Sequence, residues 1–168
     1  MKLVIINGPC GVGKSTVSEI IHKKLPMSLL LDIDSQRRLY AGYREKPEQS
    51  TPLAQATALA MAGVALKAGS DVTVDKMQYI AQWYNQWINL GHEMGADTYE
   101  IILWASREKV LERADERGYG TSLTREKVKE FWEKINEFRQ IRPDSIEINA
   151  EEVSTEEIVD QILAKINS

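Results

Sequence analysis

Short apolar runs alternate with longer segments of helical spacing along most of this chain. The runs that predict strands cover residues 3–7, 29–32, 71–75, 99–104 and 146–149. Strands that alternate with helices in this way predict βαβ units, and such units build a parallel sheet with helices on both faces. Because ligands of these sheets bind beyond the carboxyl ends of the strands, we expect the functional residues to follow the strands directly.

The predicted helices lie between these strands and after the last one. They cover about residues 15–25, 52–67, 77–91, 106–117 and 125–139, together with the segment after 154. Pro26 ends the first helix, because its ring fixes φ and it has no N–H to donate. Trp83 and Trp87 are four residues apart, which indicates a helix face buried in the core. Ser154 and Glu157 fit a capping box at the start of the last helix.

Length, composition and charge are typical of one ordinary globular domain. The chain has 168 residues, of which 43% are hydrophobic and 27% charged, so we treat residues 1–168 as a single domain. The net charge of −4 argues against a protein whose main work is to clamp a nucleic-acid backbone. Cys10 is the one cysteine, and no apolar run is long enough for a signal peptide or a membrane span. We therefore expect a cytoplasmic protein without disulfides or a membrane anchor.

The segment after the first predicted strand matches the phosphate-binding loop pattern G-x-x-x-x-G-K-[ST] at every fixed position. Glycines let backbone N–H groups surround a phosphate, and the start of the following helix adds partial positive charge. The loop residues expected to bind ATP are Gly8, Gly11, Val12 and Gly13. We expect Lys14 to contact the β- and γ-phosphates, Ser15 to bind Mg²⁺ through its hydroxyl group, and Thr16 to reach the α-phosphate.

Three carboxylates follow the second and third predicted strands. Asp32 and Asp34 are two residues apart, so in an extended chain their side chains share one side. We expect Asp34, which lies farther from the strand, to accept a proton from an attacking hydroxyl group or to contact the acceptor. Asp32 and Asp75 are expected to bind Mg²⁺, since an acid at the end of the third strand is typical of a Walker B ligand. Helix caps and turns are the alternative roles for these residues.

Two arginines precede a second glycine-containing segment. Arg113 and Arg117 are four residues apart on one predicted helix face, and residues 118–122 follow directly. Guanidinium groups can clamp phosphates and stabilise charge in a transition state, while a closing loop excludes water. We therefore expect Arg113 and Arg117 to clamp the phosphates and to stabilise transition-state charge. Surface ion pairs with Glu112 or Glu116 are the alternative.

A further basic segment, residues 37–44, follows the second predicted strand. It combines Arg37, Arg38 and Arg44 with two tyrosines. Such a segment can bind an anionic or aromatic acceptor, and a solvated amphipathic helix explains the same pattern equally well.

Together these residues resemble the small P-loop kinases related to shikimate kinase, gluconate kinase and chloramphenicol phosphotransferase, a group often described as AAA-type ATPase domains. The matching features are the loop at residues 8–15, Asp32 and Asp34, Asp75, and the pair Arg113 and Arg117. The resemblance spans nearly the whole chain. It implies a P-loop three-layer α/β sandwich with a five-stranded parallel sheet in the order 2-3-1-4-5. It also implies a lid at about residues 113–139.

The resemblance implies that the protein moves the γ-phosphate of Mg-ATP to a small-molecule acceptor. In such kinases an arginine like Arg113 packs near the adenine, one like Arg117 lies near the phosphates, and the loop at 149–151 lies close to the base. The acceptor stays open, because Lys76 follows Asp75 where shikimate kinases have a glycine cluster. Two other functions stay open as well: a kinase of 5′-hydroxyl ends of nucleic acid, and a non-catalytic ATP-binding switch or ATPase. Either a monomer or a homodimer is compatible with this reading.

Overall fold

The architecture is a five-stranded parallel sheet covered by helices. The computed structural model describes residues 1–119 and 123–167; the predicted lid residues Gly120, Thr121 and Ser122, together with Ser168, lie outside the described residues. The strands are β1 (Lys2–Asn7), β2 (Leu29–Asp32), β3 (Val72–Asp75), β4 (Asp97–Trp104) and β5 (Ile146–Asn149). Their order across the sheet is β2-β3-β1-β4-β5, which confirms the order that the family resemblance implies.

Helices connect these strands and follow the last one. In the described ranges they are α1 (Lys14–Lys24), α2 (Ile33–Arg38), α3 (Pro47–Lys67), α4 (Ala81–Met94), α5 (Arg107–Arg117), α6 (Arg125–Gln140) and α7 (Thr155–Ile166). Ser154 and Glu157 form both hydrogen bonds of a capping box at the start of α7, which confirms the prediction from their spacing. Among residues 1–119 and 123–167, no helix combines the length and apolarity needed to cross a bilayer.

Two of the predicted helices, α3 and α4, begin several residues away from their predicted starts, and α2 was not among the predicted helices. α3 starts at Pro47 rather than Pro52, because a proline in the first turn loses no intrahelical hydrogen bond. α4 starts at Ala81 rather than directly after β3, because a buried side chain holds the backbone of Gln78 out of a helical turn. The Asn7 side chain donates to the Gln78 carbonyl oxygen at 2.7 Å and accepts from the Gln78 N–H at 2.9 Å.

Each face of the sheet has its own apolar core. Val4 and Ile6 of β1 point to the face covered by α1, α5 and α7, whereas Leu3 and Ile5 point to the face covered by α3 and α4. Trp87 of α4 is fully buried in the second core, as its spacing predicts. A central strand that is apolar on both faces is typical of a parallel sheet, and β1 is such a strand.

The strand register brings the carboxyl ends of β1, β2 and β3 together. Ile6 lies opposite Asp75, and Asp75 lies opposite Asp32 on the other side. β1 ends at Asn7, one residue after Ile6, and the glycine-rich loop begins at Gly8, so the loop starts beside Asp75. The loop and the carboxylates that follow β2 and β3 therefore lie at the same edge of the sheet.

Gly91 determines how closely α4 approaches β1 and β4. A Cβ atom at this position would overlap Thr98 Oγ1 and lie 3.2 Å from Leu3 Cδ2. We expect Gly91→Ala to lower the free energy of unfolding by about 1–3 kcal/mol, because overpacking forces its neighbours to shift. Gly63→Ala in α3 is the control, since its Cβ would meet only Leu90 Cδ1 at 3.6 Å and should stabilise by up to about 1 kcal/mol. Urea unfolding measures both variants, and a Gly91→Ala protein as stable as wild type would contradict this packing.

Candidate active site

The loop between β1 and α1 has backbone geometry that favours glycine. Gly8 has a φ of 144°, and a Cβ atom there would overlap the carbonyl oxygen of Leu103 in β4. Gly13 has a φ of 100° at the N-cap of α1, so this helix has no side-chain cap. The first N–H groups of α1 therefore remain available at the loop, and a helix N-terminus of this kind attracts anions.

The other predicted ligands in the loop differ in their surroundings. The Val12 side chain is buried in the core, so only its backbone can face a ligand. Gly11 faces α5, since a Cβ atom there would lie 3.9 Å from Arg113 Cβ. Ser15 and Thr16 are exposed in the first turn of α1. Their hydroxyl groups are thus accessible to a ligand bound in the loop.

Lys14 folds back over the loop. Its Nζ atom donates a hydrogen bond to the carbonyl oxygen of Pro9 at 2.8 Å. Burial lowers the pKa of Lys14, and the nearby Asp75 carboxylate opposes this shift without cancelling it. An ammonium group in such surroundings gains from a nearby anion, so both its position and its pKa fit phosphate binding.

Asp75 is the buried carboxylate next to the loop. It is 6% exposed, and the Ser15 side chain lies close to it. Burial raises the pKa of Asp75, and the opposing effects of Lys14 and Ser15 are smaller. A hydroxyl group beside a carboxylate offers the hard oxygen ligands that Mg²⁺ prefers, so these residues fit the ion. In the described part of the chain no group of three His, Cys, Asp or Glu side chains can hold a metal, so a magnesium ion here would need phosphate and water ligands as well.

Asp32 and Asp34 do not lie in one extended segment, so the expectation that their side chains share one side of a strand was wrong. Asp32 ends β2 and caps α2, which begins at Ile33. Its Oδ1 atom accepts from the N–H groups of Asp34 and Ser35 at 2.9 and 3.2 Å, and the Ser35 hydroxyl group donates to Oδ2. Such a cap satisfies the first free N–H groups of α2, so the helix can begin directly after β2. These bonds occupy Asp32, and its role as a magnesium ligand stays a prediction.

Asp34 lies in the first turn of α2 and forms an ion pair at the sheet edge. Its Oδ1 atom is 2.8 Å from Lys76 Nζ, and the two side chains are 62% and 16% exposed. Burial acts to raise the pKa of Asp34, but Lys76, Arg37 and Lys14 together hold it below its usual value. The carboxylate is therefore ionised at neutral pH. The ion pair engages Oδ1, so Oδ2 can accept a hydrogen bond from a substrate hydroxyl group.

Arg113 lies on α5 beside the loop that follows β5. Its Nη2 atom donates to the carbonyl oxygen of Ala150 at 2.9 Å. Glu151 in the same loop accepts from the N–H and hydroxyl groups of Ser106 at 2.8 and 2.9 Å, which fastens the loop to the start of α5. The structure thus brings Arg113 together with residues 149–151. That this pair of elements surrounds adenine stays a prediction.

Arg117 is the last residue of α5 and is exposed. Its side chain makes no hydrogen bond or ion pair with another described residue, including the neighbouring glutamates of the alternative interpretation. Just beyond it, Tyr119 donates to the Asp115 carboxylate, and Arg125 of α6 lies 3.3 Å from the same group. Asp115 therefore joins the two helices of the predicted lid, while the Arg117 side chain can turn toward a ligand.

Motif reasoning missed three residues of this site: Asn7, Gln78 and Lys76. Asn7 is fully buried, and its Oδ1 atom accepts from the N–H groups of Gly8 at 2.8 Å and of Gln78 at 2.9 Å. It therefore fixes the start of the loop to the segment after β3. A polar residue at the end of an apolar strand was the available signal for Asn7. Nothing in the sequence pairs Lys76 with Asp34, since only the fold brings them together.

The sheet order and the loop define a protein of the small P-loop kinase fold. Within this class the chain belongs to the AAA domain family, whose family model matches residues 3–138. The match begins in β1 and ends in α6, so it includes the glycine-rich loop, the acidic residues and both arginines. No curated protein sequence matches the chain.

Solved structures share the fold at low sequence identity. A tunicamycin resistance protein from Deinococcus radiodurans superposes with a TM-score of 0.70 at 18% identity, over 99% of this chain and 96% of that one. A gluconokinase from Sinorhizobium meliloti 1021 also gives 0.70 at 18% identity, over 99% and 91%. A deoxyadenosine kinase from M. mycoides gives 0.58 at 18% identity, over 99% of both chains. These likenesses establish the fold.

Asp75→Asn should stabilise the nucleotide-free protein. Because burial raises the pKa of Asp75, keeping its carboxyl group ionised costs free energy above that raised value, and an amide of the same shape removes the cost. We expect Tm at pH 7 to rise by about 2–4 °C. The gain should shrink as pH falls from the raised pKa toward the ordinary aspartate value, because the wild-type group then becomes neutral too. Thermal unfolding across this pH range measures the effect.

Asp97→Asn is the matched control for this prediction. Asp97 is exposed at the start of β4, so its replacement should leave Tm unchanged at both ends of the pH range. A lower Tm for Asp75→Asn at pH 7 would show that the carboxylate stabilises the fold through Lys14 and Ser15, contrary to the prediction.

Proposed function

We propose that this protein transfers the γ-phosphate of Mg-ATP to a hydroxyl or phosphate group of a small-molecule acceptor. The observation that carries the proposal is the grouping of the glycine-rich loop, Lys14, the Ser15–Asp75 pair and Asp34 at one sheet edge. A protein that only binds or senses nucleotide needs the loop and the magnesium ligands. It does not need a further carboxylate beside them that can orient a hydroxyl group.

In the donor half of the site, the loop backbone, the start of α1 and Lys14 would bind the phosphates of ATP. Ser15 and Asp75 would hold Mg²⁺, with Asp32 as a further ligand through water. When bound, the metal neutralises charge on the phosphates and on the leaving group. Arg113 would contact the nucleoside end, because it lies between the loop and the segment after β5.

In the acceptor half, Asp34 would receive the hydrogen bond of the attacking hydroxyl group. The acceptor oxygen bonds to the γ-phosphorus, the bond to the β,γ-bridging oxygen breaks, and the hydroxyl proton passes to Asp34 and then to water. Asp34 is a weak base, since its cationic neighbours outweigh burial and lower its pKa. A weak base suffices in a loose transition state, where positioning the nucleophile contributes more than removing its proton.

The structural neighbours support a phosphotransferase. Two of them are a gluconokinase and a deoxyadenosine kinase, and a structure of the latter holds dATP. Their acceptors differ in chemistry although the fold is shared. The neighbours therefore support the donor reaction and leave the acceptor to this chain's own residues.

The direct test uses γ-labelled ATP and Mg²⁺ with a panel of nucleosides, nucleotides, sugars, sugar acids, hydroxylated antibiotics and 5′-hydroxyl oligonucleotides. We expect label on a small molecule. Lys14→Ala should lower kcat/KM by about 10²–10³-fold, because a preorganised charge is lost. Asp34→Asn should lower kcat by about 10²–10⁴-fold, because the amide orients the acceptor hydroxyl group less well and cannot take its proton. Lys23→Ala, at an exposed position of α1, is the control and should match wild type.

Label recovered only as free phosphate would contradict phosphotransfer and favour an ATPase or a nucleotide-dependent switch. Label on oligonucleotide ends would favour the nucleic-acid kinase instead of a small-molecule kinase.

A second kinetic experiment tests the roles of Arg113 and Arg117 in the lid predicted at residues 113–139. Arg113→Ala should raise KM for ATP about tenfold and leave kcat nearly unchanged, because it removes contacts that are equally strong in the ground state and in the transition state. Arg117→Ala should lower kcat about 10²-fold, because its charge would act mainly in the transition state. Arg107→Ala is the control, since Arg107 pairs only with exposed glutamates among the described residues. Equal effects of Arg113→Ala and Arg107→Ala would exclude a nucleotide contact at position 113.

A further inference from the structure

The acceptor side of the candidate site carries more positive than negative charge. If Lys14 serves the phosphates, and Asp75 and Asp32 serve the metal, Asp34 is left with two nearby cations, Lys76 and Arg37. Lys76 Nζ lies 2.8 Å from Asp34 Oδ1. Arg37 follows Asp34 by three residues on α2, so both side chains project from the same side of the helix. One carboxylate between two cations leaves positive charge that an incoming substrate can neutralise.

Arg37 has an unsatisfied donor. Its Nε atom is buried and has no hydrogen-bond partner among the described residues. Its described neighbour is the ring of Tyr43, whose centroid lies 5.4 Å from the guanidinium carbon. No described carboxylate forms an ion pair with Arg37. A buried guanidinium nitrogen without an acceptor is unfavourable, and an oxygen supplied by a ligand would offset that cost.

The surroundings of Arg37 and Lys76 add to the basic character of this side. The Lys76 side chain is 16% exposed. Its ammonium group donates one of its three N–H bonds to Asp34, and no described residue accepts the other two. Arg44 donates from Nε to the Tyr43 hydroxyl group at 2.9 Å and lies 5.4 Å from the same ring as Arg37. Tyr43 thus holds two guanidinium groups close to α2.

We propose that the acceptor carries a carboxylate or phosphate group besides the hydroxyl group that is phosphorylated, and that Arg37 and Lys76 bind this anionic group. The proposal rests on the proposed function. The planar guanidinium group matches two oxygens of such an anion, and the ammonium group adds a point charge. Asp34 pairs with Lys76 and lies one helical turn from Arg37, so it can orient the acceptor hydroxyl while these cations hold the anion nearby. The phosphoryl transfer itself is unchanged: the acceptor oxygen gains the phosphoryl group, ADP leaves, and one proton is released.

The test compares acceptors in matched pairs that differ only in the anionic group. A polyol is paired with its sugar acid, and a nucleoside with its monophosphate, so the two arms separate carboxylate from phosphate as the source of charge. With γ-labelled ATP we expect at least a tenfold higher kcat/KM for the anionic member of one pair. Equal labelling of the neutral member would overturn the inference but leave phosphotransfer intact.

Variants of Arg37 on α2 and of Lys76 after β3 locate the anion site. Arg37→Gln and Lys76→Gln should each raise KM for the acceptor by about 10–100-fold, because a hydrogen bond to a charged group is lost. KM for ATP should stay within about twofold, since neither side chain is assigned to the donor half. Arg38→Gln is the control, because Arg38 is the exposed neighbour on the same helix. An Arg37→Gln enzyme that resembles Arg38→Gln would contradict the proposal.

A binding measurement separates this inference from the proposed function. With Mg²⁺ and a non-hydrolysable ATP analogue filling the loop, calorimetry follows the binding of gluconate and of inorganic phosphate. We expect one of them to bind wild type and Arg38→Gln and to lose at least tenfold in affinity with Arg37→Gln. Anion binding that depends on Arg37, without label transfer to any acceptor, would support the anion site while the proposed function fails. Equal affinity in all three proteins would overturn the inference.

Discussion

The position of β1 between β3 and β4 is the constraint on which the candidate site depends. This pairing places the glycine-rich loop beside Asp75 and lets Gly8 approach the β4 backbone where no Cβ atom would fit. The buried Asn7 side chain reinforces the arrangement, since it bonds both to the N–H of Gly8 and to the backbone of Gln78. Buried polar groups are stable only when bonded, so Asn7 holds the loop and the segment after β3 in one geometry.

The site that this strand supports contains two charges in unfavourable surroundings. Burial lowers the pKa of Lys14 and raises that of Asp75, so each group is less easily ionised than in water. Their mutual attraction reduces the cost without removing it. The phosphates of a nucleotide would stabilise the ammonium group, and a divalent cation would stabilise the carboxylate. Electrostatic strain of this kind is common at functional sites, where ligand binding rather than folding compensates it.

Features with a local cause could be predicted from the sequence. The glycine-rich loop is a contiguous pattern, and the capping box of Ser154 and Glu157 needs only one helical turn. Features that depend on contacts between residues far apart in the sequence could not be predicted from it. The start of α4 depends on Asn7, which is 71 residues away from Gln78, and the Asp34–Lys76 pair spans 42 residues. For Asp32 the sequence left two roles open, because a carboxylate directly after a strand can be either a metal ligand or a helix cap.

The donor and acceptor halves of the candidate site differ in how they are built. The proposed donor half consists largely of backbone N–H groups and residues within one loop, and the fold that holds this loop is shared with solved structures at 18% identity. The acceptor half consists of side chains on α2, on the α2–α3 connection and after β3, and each can change without disturbing the sheet. Among these side chains, Arg37 has a buried nitrogen without a described partner, and Lys76 lies against the exposed Asp34. A fold match therefore supports the proposed donor reaction and leaves the acceptor open, and under the proposal the charge and bonding of these few side chains would decide which acceptor can bind.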